Sequence, residues 1–445
     1  MKMNREQASL SVDTLELLKA KILKSAIEGK LVPQIEGEPE ALQIGKAPEE
    51  VPFEIPKKWK WIYLGKAGSW KSGLTPSRSN PAYYENGNVN WLKTGDLNDG
   101  SITKTSEKIT TAAISETRLR INPIGSVLMA MYGATIGKLG ILAVPSTTNQ
   151  ACCACIPENF INSKYLFYFL LARRQQFISM GAGGAQPNIS RNKIVNSSFP
   201  LPPLEEQGRI VEKLDSLLSK IETIQKSKDE VSRLSESFEK QLLQSAISGK
   251  LVPQLDRESE VEQIGQAPQE APFEIPKKWK WIQIKNLVTK ASQKVPDKAF
   301  EYVDVSSIDT DYLNIATTKK LEAKEAPSRA RKVLLPGMVI YSTVRPYLLK
   351  ACVIGDEFKG RELIGSTAFA SMSCERELLL NRYLLYYLVS PFFTSHVTDV
   401  QRGVTYPAIA EKDFFSSFIP LPPLAEQKRI VAKLDKLMLE IQKLQ

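Results

Sequence analysis

The feature that most constrains the fold is an internal repeat, in which three segments return 220 residues further along the chain. Residues 52–61 and 272–281 share the sequence PFEIPKKWKW, and residues 25–34 return at 245–254 with one substitution. The segment 200–207, PLPPLEEQ, returns at 420–427 with one substitution. Because solenoid units are at most about 50 residues long, this period predicts a duplicated domain pair rather than a solenoid.

Two blocks, residues 62–199 and 282–419, lie between the repeated segments and have no obvious identity with each other. Each block alternates short apolar runs with turns and contains one clear amphipathic helix, which predicts a mixed α and β domain. The predicted strands are residues 127–132, 140–144, 338–342 and 351–354, and the predicted helices are residues 164–179 and a segment that begins at residue 382. The repeated segments are therefore constant, and the blocks between them vary.

A long helix is predicted in the middle of the chain, from Leu204 to about Ala246. Its apolar residues follow the a/d pattern of a coiled coil. They are Ile210, Leu217, Ile224, Val231 and Phe238, with Leu214, Ile221 and Leu242 at the interleaved positions. Each chain end matches one half of this helix, so we expect the two ends to pair with it in antiparallel orientation and to give a pseudo-twofold symmetry.

The predicted fold class is α+β, with two mixed α/β domains held apart by long antiparallel coiled-coil helices in a pseudo-twofold repeat. The predicted boundaries are 1–51 for an N-terminal helix and linker, 52–200 for the first domain, 201–271 for the central helix and linker, 272–420 for the second domain, and 421–445 for a C-terminal helix.

Composition narrows the class of partner and the compartment. Lys and Arg exceed Asp and Glu by a net charge of +10, which favours a polyanionic partner such as nucleic acid. The five cysteines, three of them at 152, 153 and 155, do not form the pattern of a secreted disulfide framework, so we expect a reducing cytoplasm. The polar N-terminus predicts no secretory signal, and no apolar run is long enough to cross a bilayer.

Each block ends in a glycine-containing loop, residues 181–190 and 401–410, and the two loops align on Pro187 and Pro407. With the motifs at 200–207 and 249–253, this order of constant and variable parts resembles the specificity (S) subunit of type I restriction-modification systems. The stretches that are similar to family recognition domains are residues 132–138, 186–190, 339–347, 365–369 and 403–407.

The resemblance implies a non-catalytic subunit whose two target-recognition domains each bind half of a bipartite target in double-stranded DNA. It implies that the helices set the spacing and dock two methyltransferase subunits, and that restriction subunits complete the complex. No cofactor is expected in this chain, because S-adenosylmethionine, ATP and Mg would bind the partner subunits. Leu218 and Leu243, apolar positions outside the a/d pattern, are where we expect the methyltransferase contact, unless they only thicken the coiled coil.

The candidate DNA contacts lie in or beside the loops of each block. An Arg can bind guanine bidentately, a Tyr can contact phosphate or stack, and amides and hydroxyls can read base edges. The candidates are Tyr132, Lys138, Gln186 and Asn188 in the first block, and Arg345, Tyr347, Thr405 and Tyr406 in the second. The alternative for each is structural: an ordinary surface Arg beside a half-buried Tyr, a solvated Lys on a glycine-rich hairpin, or side chains that cap a turn.

Two other functions are compatible with parts of the sequence. Asp297, Glu322 and Lys324 resemble the carboxylate and lysine set of a metal-dependent nuclease, although they occur in one half only. A stand-alone architectural DNA-binding protein would share the basic charge and the repeat. The single histidine, His396, disfavours a histidine-based triad or zinc site, and we predict that Trp59, Trp61, Trp279 and Trp281 pack in the scaffold rather than stack on single strands.

Overall fold

The longest element of the structure is the central helix, Leu204–Ile247. The structure is a computed structural model that describes residues 5–181, 188–401 and 407–444, with side chains from Thr14 onward. Two prolines, Pro202 and Pro203, precede the helix, and two carboxylates in its first turn favour the positive end of the helix dipole. Gly249 follows the helix with a positive φ of 74°, a left-handed conformation that glycine adopts without strain. The described part contains no helix long and apolar enough to span a membrane.

The chain divides into two units, Met1–Ser227 (unit 1) and Lys228–Gln445 (unit 2). Each unit has the order helix, linker, mixed domain, helix. The elements of unit 1 are α1 (Arg5–Ile27), β1 (Lys60–Tyr63), β2 (Gly68–Ser72), β3 (Val89–Leu92), β4 (Gly100–Ile102), β5 (Glu107–Ile109), α2 (Thr111–Thr117), β6 (Val127–Ala130), β7 (Leu139–Leu142), β8 (Thr147–Thr148), β9 (Cys152–Pro157), α3 (Ser163–Ala172), α4 (Arg174–Gly181), α5 (Arg191–Val195), β10 (Ser198–Leu201) and the first part of α6 (Leu204–Ile247).

Unit 2 begins with the second part of α6. Its further elements are β11 (Lys280–Gln283), β12 (Val288–Lys290), β13 (Phe300–Val303), β14 (Ile308–Asp309), β15 (Asn314–Ile315), β16 (Lys319–Leu321), β17 (Ala330–Leu334), β18 (Val339–Ser342), β19 (Ala351–Val353), β20 (Leu363–Ser366), β21 (Phe369–Cys374), α7 (Asn381–Leu388), α8 (Pro391–Val400), α9 (Glu411–Ser416), β22 (Phe418–Leu421) and α10 (Leu424–Gln442). Short 3-10 turns occur at Leu64–Lys66, Pro81–Tyr83, Thr94–Asp96, Ile284–Asn286, Val305–Ser307, Ala323–Glu325, Pro346–Leu348 and Asp356–Phe358.

The two variable blocks share most of their sheet topology although their sequences differ: β4 has no counterpart in the first sheet of unit 2, and β17 has none in the second sheet of unit 1. The first sheet has the order β2-β9-β6-β7-β4 in unit 1 and β12-β21-β18-β19 in unit 2. The second sheet has the order β5-β3-β8 in unit 1 and β16-β13-β20-β17 in unit 2, and its parallel pair is β3 with β8 or β13 with β20. Buried strands need apolar side chains but not particular ones, so the topology is repeated without visible identity.

A buried glutamine joins the scaffold to the domain in each unit. The carboxamide oxygen of Gln207 accepts a hydrogen bond from the Asn162 N–H (2.8 Å), and its Nε2 donates to the carbonyls of Phe160 and Pro202 (3.0 Å each). Gln427 makes the same three bonds in unit 2, with the Leu380 N–H (2.9 Å) and the carbonyls of Leu378 (2.8 Å) and Pro422 (2.9 Å). Each glutamine therefore fixes the start of a scaffold helix against the start of the adjacent domain helix, α3 or α7.

A second set of contacts supports this interface and was not recognised in the sequence. Asp215 accepts hydrogen bonds from Lys164 (2.7 Å) and from Tyr168, both on α3. Asp435, its counterpart in the repeat, accepts them from Arg382 (2.6 Å) and Tyr386 on α7. These helix residues are 218 rather than 220 positions apart, so a comparison at the constant offset does not align them.

Contacts between α1 and α6 are present near the start of α6. Gln34, which follows α1, bonds to Glu206 at the start of α6 (3.3 Å), while Leu15 and Leu218 line one cavity further along. The two helices of unit 1 are therefore antiparallel, as predicted. The a/d residues Ile210, Leu214, Ile221 and Leu242 are buried, whereas Ile224, Val231 and Phe238 are exposed.

Two details of the sequence prediction were wrong. The helix predicted over residues 164–179 is interrupted at Arg173, whose guanidinium lies over the Phe53 ring at 5.9 Å. Leu243 is buried in the core of unit 2, so its side chain cannot contact a partner subunit there.

The prediction that the tryptophans pack was confirmed for Trp59 and Trp279, which are buried, and for Trp61 and Trp281, which contact the rings of Phe53 and Phe273 (5.0 and 4.9 Å).

We predict that Gln427→Leu lowers the free energy of unfolding of unit 2 by at least about 3 kcal/mol. The substitution leaves one N–H and two carbonyls buried without partners, and each such group costs about 1–3 kcal/mol. Denaturant unfolding of the purified chain measures the change. Lys428→Leu, at the exposed neighbouring position, is the control and should change stability by less than about 0.5 kcal/mol. An equal effect of the two substitutions would contradict the role of the glutamine.

Candidate nucleic-acid interface

In unit 1 the two loop segments predicted to contact DNA lie side by side. The turn after β6 meets the segment before α5 through an antiparallel bridge between Tyr132 and Asn188. The Ile189 N–H bonds to the Met131 carbonyl at 2.7 Å. Two candidates that are distant in sequence, Tyr132 and Asn188, are therefore neighbours at one end of the first sheet. Gln186 lies outside the described residues.

Unit 2 brings the corresponding segments together in the same way. Val344 and Ala408 form the equivalent bridge, and the Ile409 N–H bonds to the Thr343 carbonyl at 2.9 Å. The Arg345 N–H donates to the Pro407 carbonyl at 2.7 Å. The candidates Thr405 and Tyr406, which precede Pro407 in the sequence, lie outside the described residues.

The turns after β6 and β18 share the positions of two left-handed residues and a closing hydrogen bond but carry different side chains; we call them the recognition turns, residues 131–138 and 343–350. In unit 1 the left-handed positions are Gly133 and Gly137, both with φ of 79°. In unit 2 they are Arg345 (φ 48°) and Leu349 (φ 51°), again four residues apart. Both turns close with a bond to the strand before them, from Ala130 to Lys138 and from Ser342 to Lys350 (2.8 Å each).

The left-handed conformation of Arg345 is an argument for a function of its side chain. A non-glycine residue in this region costs about 1–2 kcal/mol, and unit 1 shows that glycine fits the same turn. Strained residues of this kind concentrate at functional sites. Arg345 itself is exposed, whereas Pro346, the next residue, is buried and anchors the turn.

The other candidates differ in accessibility. Lys138, Asn188 and Tyr347 are exposed. Tyr132 is half-buried, and this burial raises the pKa of its hydroxyl, so at neutral pH it is a neutral hydrogen-bonding group. The structure thus presents cationic and phenol groups around both recognition turns, and an amide at the first, which are groups that contact phosphates and base edges.

Further polar groups at the same end of unit 1 were not identified from the sequence. The turn after β2 places the Thr75 hydroxyl in a hydrogen bond with the Gln150 carboxamide oxygen, next to the start of β9. Arg78 lies over the rings of Tyr84 (4.5 Å) and Trp91 (5.1 Å) and pairs with Glu107 at 2.8 Å. β2 lies next to β9, and β9 lies next to β6, so the turn after β2 is at the same end of the sheet as the turn after β6. A single sequence does not reveal this strand order.

The residues considered for nuclease chemistry lie just before β13 and just after β16, two strands that pair in antiparallel orientation. Asp297 is an exposed carboxylate whose oxygen lies 3.6 Å from Lys294. Glu322 and Lys324 belong to a 3-10 turn in which the Glu322 N–H bonds to Glu325 at 3.1 Å. Within residues 5–181, 188–401 and 407–444, no group of three His, Cys, Asp or Glu side chains is placed to hold a metal ion. Burial raises the pKa of the Cys153 thiol to about 12, so this cysteine is a protonated core residue.

The structure therefore defines a duplicated scaffold that carries two recognition turns with a common backbone and different side chains. The chain belongs to the family described as type I restriction modification DNA specificity domain, whose profile matches residues 56–233 and 276–445. The curated relatives that the chain matches are specificity subunits of type I restriction enzymes, as the sequence resemblance predicted.

Individual relatives agree with this assignment. The EcoR124I/EcoR124II specificity subunit of Escherichia coli is 29% identical over 161 residues, which are 35% of this chain and 40% of that protein, less than half its length. The MjaVIII specificity subunit of Methanocaldococcus jannaschii is 24% identical over 403 residues, 86% of this chain and 87% of that protein. A solved structure concerning the assembly of "the type I R-M system" has a TM-score of 0.63 at 21% identity, covers 88% of this chain and 93% of its own, and supports the fold.

We predict that Arg345→Gly weakens binding of the unit 2 half-site by at least about tenfold, because a bidentate contact to guanine contributes about 1–3 kcal/mol. Its effect on stability should stay within about 1 kcal/mol, since relief of the left-handed strain offsets the greater entropy of glycine in the unfolded chain. Arg345→Lys separates two roles: it keeps a phosphate contact but loses the planar fork. DNA-binding titrations and thermal unfolding measure both effects, and unchanged affinity in Arg345→Gly would exclude Arg345 from the interface.

Proposed function

We propose that this chain is the DNA sequence-specificity subunit of a type I restriction-modification complex, and that each unit binds one half of a bipartite target in double-stranded DNA. One observation carries the proposal: the recognition turns repeat the positions of their left-handed residues but not their side chains. A protein that read the same sequence twice would repeat both. A common backbone with different side chains instead suits two different half-sites.

Charge and accessibility support DNA as the ligand. The net charge is +10, and Lys138 and Arg345 are exposed at the turns. Phosphate contacts of such residues supply affinity, while contacts to base edges supply sequence preference. Tyr132, Asn188 and Tyr347 belong to the same proposed interface, as do Gln186, Thr405 and Tyr406 by their place in the sequence.

The length of the central helix suits a spacer between half-sites. Its 44 residues correspond to about 66 Å at 1.5 Å per residue. One turn of DNA is about 34 Å, so a helix of this length is comparable with two turns. We propose that α6 sets the number of base pairs between the two halves of the target.

Two methyltransferase subunits and the restriction subunits are the proposed protein partners. Val231, Leu234 and Phe238 are exposed on α6 in unit 2 at the i, i+3, i+7 spacing of one helix face, which is a surface that a methyltransferase helix could cover. Leu218 in unit 1 is partly buried and lines a cavity between the helices. S-adenosylmethionine, ATP and Mg would bind the partners rather than this chain, and the proposed location of the complex is the cytoplasm.

The test is methylation mapping. The chain is co-expressed with the methyltransferase subunit of its own system in a host that lacks adenine methylation, and the genome is sequenced for modified adenines. We expect a split motif whose first half changes when residues 62–199 are replaced by another block, and whose second half changes when residues 282–419 are replaced.

A stand-alone architectural DNA-binding protein is the alternative function. It would bind DNA tightly without any methyltransferase, and it would produce no new methylation in the mapping experiment. A stable complex that methylates nothing would therefore remove the specificity-subunit proposal and leave DNA binding alone.

A further inference from the structure

In unit 2 the buried Lys332 forms an ion pair with Glu411, the residue that follows the glycine-containing loop 401–410. Lys332, on β17 of the second sheet, is only 2% exposed. Lysine is almost never fully buried unless it is paired, and the Lys332 Nζ lies 3.3 Å from both carboxylate oxygens of Glu411. Glu411 is the first residue of α9.

Glu411 connects three parts of the domain. Besides Lys332 on the second sheet, it lies 3.8 Å from Lys290 at the end of β12 on the first sheet. The backbone at Lys332 also forms a bridge with Gln293, in the segment after β12. The start of α9 is therefore fixed to both sheets of the unit at one point.

The segment 407–410 lies between this ion pair and the unit 2 recognition turn. On one side it is bonded to the turn, through the Pro407 carbonyl to the Arg345 N–H and through the Ile409 N–H to the Thr343 carbonyl. On the other side it continues directly into Glu411. A displacement of Glu411 would consequently move the backbone at Arg345, the residue with the strained conformation.

Unit 1 has a different arrangement at the same repeat position. The counterpart of Glu411 at the 220-residue offset is Arg191, which is exposed and donates to the Trp70 carbonyl at 3.4 Å. The charge is reversed, and the partner is a backbone carbonyl rather than a buried side chain. The ion pair therefore belongs to unit 2 and not to the repeated scaffold.

We propose that Lys332 and Glu411 are positioning residues that determine sequence discrimination in the half-site bound by unit 2. The pair holds segment 407–410, and this segment holds the Arg345 backbone at the place from which its side chain reads a base. The proposal rests on the proposed function of the chain. It differs from a purely structural role in its readout. Loss of a structural contact would lower the unfolding temperature and reduce methylation at all sites, whereas a shifted reading group would lose discrimination only in the unit 2 half.

The experiment uses the methylation mapping described above with the full chain and its methyltransferase. Lys332→Met keeps the apolar stem of the side chain and removes the buried charge. We expect the ratio of methylation at cognate sites to methylation at sites with one mismatch in the unit 2 half to fall about tenfold, because one mismatched base pair costs about 1–3 kcal/mol. Discrimination in the unit 1 half should not change, and complex assembly should be retained.

Three further variants make the result specific. Glu411→Gln should give the same loss in the same half, and the double variant should lose no more than either single variant, since the two residues act as one unit. Lys319→Met is the matched control: Lys319 pairs with Asp304 at the same distance of 3.3 Å in unit 2, but its side chain is exposed. It should leave the mismatch ratio unchanged.

The outcomes separate the two proposals. No split-site methylation by the unaltered chain would overturn the proposed function itself. Split-site methylation by the unaltered chain, with an unchanged mismatch ratio in Lys332→Met and Glu411→Gln, would overturn only the positioning role. A uniform loss of methylation at all sites in both variants, with a lower unfolding temperature, would show that the pair is structural and would also overturn it.

Discussion

The structure depends on the hydrogen bonds of two buried glutamines, Gln207 and Gln427. Each satisfies three backbone groups where a proline-rich strand end meets a long helix and a domain helix begins. Proline cannot donate, and the first turn of a helix has free N–H groups, so this junction would otherwise bury unpaired polar atoms. The side chain is neutral and both donates and accepts, which a carboxylate or a lysine cannot do. The repeated motif PLPPLxEQ is thus a physical requirement of the junction.

A second constraint is the left-handed backbone conformation that each recognition turn requires at two positions. The turn needs two left-handed residues, and unit 1 meets that need with glycines, while unit 2 places Arg345 and Leu349 there. The energetic difference is small compared with the stability of a domain, so it can be tolerated where a side chain is useful. The two units thus place left-handed residues at the same positions of the turn but differ in the side chains at those positions.

Much of the scaffold was predictable because it is repeated at a constant offset. The extent of α6 followed from its a/d pattern, and its antiparallel pairing with α1 and the packing of the tryptophans followed from the repeated segments. The common topology of the two blocks did not follow, because buried strands share apolar character but not residue identity. The meeting of Tyr132 with Asn188, and the pairing of Lys332 with Glu411, are long-range contacts that no local pattern records. The break of the predicted helix at Arg173 has no signal in the apolar pattern of residues 164–179.

The constant stretches that bound each block affect how the chain can change in evolution. Each recognition block is bounded by two short constant stretches, and each contacts its scaffold through the same few atoms of glutamine and aspartate. A block that bonds to those atoms and keeps its buried strands apolar can carry different turn side chains and still be held in the same way. The two recognition blocks can therefore change independently of each other, although they belong to one polypeptide.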